Sequence, residues 1–141
     1  MAPIDRQLFL QKLWQAAREY LRVTEKGSSE AHTKLVRDIQ LACSHGNVRL
    51  FINTNGLFYR ENGIPVKVGL FVGCGDLIGF ICETFNKTLV ARLVMIEVKT
   101  GKATATTEQR DAIKMINRMG GYAGVARSVE DAQRILTGNL L

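Results

Sequence analysis

GCGDLIGFICETFNKTLVARLVMIEVKT, residues 73–100, contains the two most apolar runs of the chain and sets charges at their ends. Leu77 to Glu83 and Leu89 to Lys99 are apolar on both faces, with Thr84-Phe85-Asn86-Lys87-Thr88 between them, which predicts two central strands of a covered sheet. Burying an unpaired charge is costly, so Asp76, Glu97 and Lys99 at those ends need partners. A hairpin centred between Asn86 and Lys87, without a bulge, sets Asp76 opposite Glu97, each ten residues from the turn. Directly opposed residues share a face with side-chain roots about 4.5–5.5 Å apart, close enough for two carboxylates to hold one divalent cation. Lys99 stands two residues beyond Glu97 and therefore on the same face.

This triad suits phosphodiester hydrolysis. A metal ion can bind a non-bridging oxygen and activate water, while a fixed ammonium orients that water or stabilises the extra charge of the transition state. Glu-x-Lys alone carries little weight, because eight Glu and eight Lys in 141 residues give roughly half an occurrence by chance. Its embedding is more specific: an acid heads one apolar strand and Glu-x-Lys closes the next.

Outside these strands the chain reads as one globular domain, 46% hydrophobic and 23% charged, long enough for a core of useful size. A net charge of +6 favours polyanionic partners. Cys43, Cys74 and Cys82 form no CxxC and stand far from a zinc pattern with His32 and His45, so a reducing compartment is the simpler expectation. The cysteines read as buried small hydrophobes, Cys82 most clearly, and the histidines as surface or helix-end residues. The N-terminus lacks an apolar signal core and no run is long enough to span a bilayer, so the expected location is cytoplasmic.

Residues 1–27 read as a helix, Asp5 to about Leu21, and a connector; residues 28–137 form the core. A second helix is expected from Glu30, capped by Ser28 or Ser29, to about Cys43, with Leu35, Ile39 and Ala42 inward. VRLFINTNGLFYR suggests a strand and turn or a bulged hairpin, and ENGIPVKVG a loop. After the central hairpin, Thr106 and Gln109 are spaced as a capping box for a helix from Thr107 to Met119, with Ile113, Ile116 and Met119 on one face. YAGVARS reads as a strand, and Ser128 caps a last helix to about Leu136 with Ala132, Ile135 and Leu136 inward. The fold class is α/β, a mixed central sheet flanked by helices.

Three stretches together, GLFVGCGDLIGF, MIEVKTGKATATTEQRDAI and NRMGGYAGVARSVEDA, resemble the PD-(D/E)xK nucleases, and within them the virus-type replication-repair nuclease (VRR-NUC) domain, over roughly Glu30 to Leu136. The resemblance implies a restriction-endonuclease-like core of a helix, three antiparallel strands, a helix and a further strand. It also implies a Mg²⁺- or Mn²⁺-dependent endodeoxyribonuclease leaving a 5′-phosphate and a 3′-hydroxyl. Small stand-alone members are similar to Holliday-junction resolvases acting as homodimers on branched DNA, and a virus or prophage of a bacterial host is a compatible source. By position, Asp76 and Glu97 are similar to the metal-binding acids, Val98 to the residue giving a carbonyl ligand, Lys99 to the catalytic lysine, Gln109 to the helix glutamine that points at the site, and Glu30 to the additional acid. Gly75 departs from the proline usual before the aspartate, and Asn53-Thr54-Asn55-Gly56 matches the family's asparagine-glycine motif only loosely.

Plainer readings stand beside these. Glu97 and Lys99 also suit a solvated strand-end pair, Asp76 a turn after glycine, Glu30 the favourable end of a helix dipole, and Gln109 a cap with no other task. Lys67 and Lys102, on loops adjoining the site, and Arg110 are the candidate DNA-backbone contacts, although scattered basic residues usually form solvated faces. Trp14, Leu10 and Phe9 are candidates for a dimer face or simply for core. The rival function is a non-catalytic basic DNA-binding module of the same fold, which has no physical reason to keep carboxylates facing a polyphosphate.

Overall fold

A computed structural model describes residues 28–138 of the chain; the helix expected over residues 5–21, its dimer-face candidates and the connector lie outside them. The described elements are α1 (Ser28–Cys43), β1 (Val48–Ile52), β2 (Gly56–Tyr59), β3 (Pro65–Val68), β4 (Leu77–Phe85), β5 (Thr88–Val98), α2 (Thr107–Arg118), β6 (Tyr122–Ala126) and α3 (Val129–Leu136). The expected α/β class and mixed sheet hold. Four strands order as β1-β4-β5-β6, antiparallel except for the parallel β5–β6 pair, while β2 and β3 form a separate two-stranded sheet.

The β4–β5 hairpin turns at Asn86 and Lys87, both with positive φ, 48° and 65°, as a two-residue turn matched to strand twist requires. From Phe85↔Thr88 to Leu77↔Ile96 the ladder keeps the expected register without a bulge. Burial is narrower than the sequence suggests: β5 is buried throughout from Val94 to Val98, whereas its first half and the turn end of β4 are largely open.

Alternation along β5 divides the core in two. Val94, Ile96 and Val98 face α1 and α3, packing with Val36, Ile39, Leu50, Leu77, Ile135 and Leu136. Met95 faces α2, packing with Cys74, Ala112, Ile116 and Ala123. Each large apolar side chain fully buried here contributes about 1.5–3 kcal/mol. Because Glu97 follows Met95 by two, it emerges on the α2 side at the end of the strand.

Several expectations are corrected. Helix α1 begins at Ser28 rather than Glu30, and its innermost residues are Val36, Ile39 and Cys43, with Leu35 and Ala42 only partly buried beside them. The stretch expected as a loop holds β3, and Lys67 lies on that strand, exposed. Pro65 opens β3, the strand position that tolerates a missing N–H. Met119 caps α2 and is 82% exposed, whereas Ile116 is buried and Ile113 partly buried as expected, with Ala112 beside them. Cys82 is only partly buried, because it sits near the open end of the hairpin; Cys43 and Cys74 are buried. Thr106 and Ser128 cap α2 and α3 as expected, and Ala132, Ile135 and Leu136 are inward. No helix among the described residues is long and apolar enough to cross a membrane.

Candidate active site

The site end of the hairpin is held by main-chain geometry before any charge is considered. Asn53, just past β1, donates its N–H to the Asp76 carbonyl at 2.8 Å and its Nδ2 to the Gly75 carbonyl at 2.9 Å. Asn55 Nδ2 donates to the Cys74 carbonyl at 2.9 Å. Two asparagine side chains thus clamp the turn that delivers Asp76. Gly75 answers to a close approach, since a Cβ there would lie 2.7 Å from the Ile96 carbonyl oxygen; the chain passes too near β5 for any side chain at this position.

The ladder ends at Leu77↔Ile96, one step short of Asp76 and Glu97. Beyond it, Asp76 turns its carboxylate onto the β5 main chain, where Oδ2 accepts the Val98 N–H at 2.9 Å. Glu97 is 3% exposed, the one buried charged residue among those described. Its Oε1 accepts from Lys99 Nζ at 2.7 Å and from Gln109 Nε2 at 2.6 Å. The Lys99 side chain is itself only 16% exposed, and its N–H is tied to the Ala126 carbonyl at 3.0 Å. A solvated strand-end pair does not describe this arrangement.

Burial pushes the Glu97 carboxyl above its ordinary range. The hydrogen bond from Lys99 pulls it back, the Asp76 charge adds to the rise, and the charges of Lys99 and His32 oppose it. The two acids are therefore close enough to sense each other, and a divalent cation at this place would favour the ionised form of both.

Gln109 resolves its two readings by performing both tasks. Its Oε1 accepts from Thr106 N at 2.9 Å and its own N–H donates to Thr106 Oγ1 at 3.2 Å, completing the capping box, while Nε2 reaches Glu97. Each amide atom meets the partner its polarity demands. The cap fixes the side chain that holds the buried glutamate.

Lys102 and Arg110 make no hydrogen bond or ion pair with this cluster. Glu30 is exposed in the first turn of α1, outside the compact unit that begins at His32. Lys102 is exposed in the turn after β5. Arg110 is spent locally, with Nη1 donating to the Ala105 carbonyl at 2.5 Å and Nη2 to Thr107 Oγ1 at 3.1 Å.

The sequence reasoning missed His32. Its Nε2 lies 3.3 Å from Asp76 Oδ2 and 3.2 Å from the Val98 carbonyl oxygen. A signal was present: His32, Val36, Ile39 and Cys43 follow one helical stripe, adjacent to the stripe taken as inward, so the histidine extends the buried face of α1. Among the described residues, no three His, Cys, Asp or Glu side chains meet as a ready metal cluster. The donors that fit a cation are Asp76, Glu97 and the main-chain oxygen of Val98, a hard oxygen set whose remaining positions water and phosphate can fill.

Comparison of the chain with protein-family models, with curated proteins and with solved structures gave no match.

Proposed function

We propose that the protein is a metal-dependent DNA endonuclease of the PD-(D/E)xK type, hydrolysing phosphodiester bonds in branched or duplex DNA. The observation that carries this reading is the convergence of Asp76, Glu97, Lys99 and Gln109 at one end of the sheet, with the glutamate buried and held by two donors. Lys99 pairs with Glu97 and not with Asp76, so the second acid is left for a cation to neutralise. Asp76, Glu97 and the Val98 carbonyl would hold Mg²⁺ or Mn²⁺. Such an ion would polarise a phosphate oxygen and lower the pKa of a water.

The chain's own residues supply the rest. Gln109 fixes the orientation of Glu97, and the Val98 N–H fixes that of Asp76, so both carboxylates are set before substrate arrives. Lys99, held beside Glu97, places an ammonium where charge develops on the phosphate or beside the attacking water. A net charge of +6 draws the DNA backbone toward the surface, with Lys67 and Lys102 exposed for contact. Action as a homodimer belongs to the same proposal, and light scattering at working concentration checks it.

The test is incubation of labelled four-way junctions, flaps and plain duplex with wild type, Glu97→Gln and Lys99→Ala, with and without Mg²⁺ or Mn²⁺. Wild type is expected to cut only with the cation; both variants should bind DNA and fail to cut. Cation-independent binding without cleavage by wild type would instead support the DNA-binding module.

A further inference from the structure

His32 is the residue of this site that the proposed chemistry leaves without a task. It comes from α1, the layer opposite the helix that supplies Gln109, and its side chain is 34% exposed, so water could satisfy the imidazole and burial does not force a contact. Yet Nε2 is directed at the two oxygens that a cation would share: Asp76 Oδ2 at 3.3 Å and the Val98 carbonyl oxygen at 3.2 Å. Asp76 Oδ2 is in turn anchored by the Val98 N–H at 2.9 Å, so the carboxylate and the carbonyl are positioned by the same residue of β5. Three potential donors thus surround one small space.

Their spacing is informative. Ligands at right angles around a small divalent ion, each about 2.1–2.2 Å from it, stand about 3 Å from one another. Separations of 3.2 and 3.3 Å from Nε2 to the two oxygens are close to those of neighbouring corners of one coordination shell. An imidazole nitrogen at a corner changes which ion is preferred: carboxylate and carbonyl oxygens suit Mg²⁺, whereas imidazole adds affinity for first-row transition ions.

We infer that His32 Nε2 is a further metal ligand, completing a set with Asp76 and the Val98 carbonyl and biasing the site toward Mn²⁺ and similar ions over Mg²⁺. This rests on the metal-dependent reading above. The neutral ring gives its Nε2 lone pair to the ion, and Glu97, held by Lys99 and Gln109, takes a remaining position directly or through water.

The test is direct cation binding by the full-length chain, without DNA and without a cleavage assay. Calorimetry gives Mn²⁺ and Mg²⁺ affinities for wild type, His32→Ala, His32→Gln and Glu97→Gln, and pulsed electron paramagnetic resonance of bound Mn²⁺ reads nitrogen coordination. Wild type is expected to bind Mn²⁺ more tightly than Mg²⁺ and to show a directly coordinated nitrogen. His32→Ala should weaken Mn²⁺ binding about tenfold or more while changing Mg²⁺ binding far less, and the nitrogen signal should vanish. His32→Gln, which offers an oxygen, should lose the signal and keep Mg²⁺ binding; circular dichroism confirms that each variant is folded. Mn²⁺ affinity unchanged in His32→Ala overturns the inference, and so does tighter binding, which would make the imidazole a competitor of the ion. If Glu97→Gln weakens binding and His32→Ala does not, the ligand role falls while the proposed function stands. If wild type binds neither ion, both fall.

Discussion

Each end of the β4–β5 hairpin carries a carboxylate and a cation, but the two ends are built to different rules. Near the turn, Glu83 pairs with Arg92 at 2.9 Å and accepts the Tyr122 hydroxyl at 2.6 Å, while the Arg92 guanidinium lies 5.7 Å from the centre of the Tyr122 ring. One acid meets one base there, both side chains about a third exposed, at 29% and 37%. At the far end Glu97 meets Lys99, both largely withdrawn from solvent, and a second acid, Asp76, stands beside them on the Val98 N–H. The turn end is neutral and complete in itself. The site end holds a second acid in a place where burial already disfavours the ionised form of Glu97, which is the arrangement expected of a group awaiting a cation.

The largest expected effect separates the two ends by activity. Glu97→Gln and Lys99→Ala should each lower the single-turnover cleavage rate by about a hundredfold or more, whereas Glu83→Gln and Arg92→Ala should leave it within about threefold. Equal losses at both ends would erase the distinction drawn between them.

Next comes the cation itself. Saturation at about a hundred times the dissociation constant should stabilise the fold by about 2.7 kcal/mol, seen as a rise in melting temperature that a chelator reverses. Asp76→Asn should abolish that rise and Glu83→Gln should retain it. A cation-induced rise that survives Asp76→Asn would move the ion elsewhere.

The clamp on the Asp76 turn sharpens the comparison further: Asn47 makes a similar pair of bonds to the Cys82 main chain toward the turn end, at 2.8 Å each, but no acid follows there. Asn53→Ala removes the side-chain hydrogen bond to the Gly75 carbonyl and should cost about 1–2 kcal/mol in denaturant melts, with kcat falling more than KM rises. Wild-type kcat in this variant would mean that Asp76 holds its place unaided.

The smallest effect belongs to the turn end. The Glu83 hydrogen bond raises the Tyr122 pKa above its usual value of 10.0, with burial and the Glu83 charge adding to it and Arg92 opposing. The stability from this contact is present in full below pH 10.0 and is lost as pH rises through the higher folded value. Tyr122→Phe should therefore be less stable than wild type by no more than about 1 kcal/mol at neutral pH, with the difference closing above that range. A gap that widened with pH would contradict the assigned contact.

Much of the site was legible because hairpin register follows from a two-residue turn. Asn86 and Lys87 set the pairing, so the opposition of β4 and β5 could be counted outward to within one step of Asp76 and Glu97. The capping box likewise announced where Gln109 begins its helix. The β2–β3 pair escaped because it is short and mostly exposed, so no buried stripe marks it. His32 escaped for another reason: a helix of this composition has two adjacent apolar stripes, and only the packing of Val36, Ile39 and Cys43 against the sheet selects the one that carries the histidine.

By itself the sequence determined the local quantities: which runs become strands, where the hairpin turns, which residues cap helices, and that an acid and Glu-x-Lys close the two apolar strands. Those follow from periodicity and turn chemistry within short stretches of chain. Tertiary structure alone decided that Glu97 is buried between Lys99 and Gln109, that Asn53 and Asn55 hold the Asp76 turn, and that α1 sets His32 beside Asp76 and Val98. These contacts join residues from 2 to 66 positions apart, and half of them exist only once a helix has packed onto the sheet.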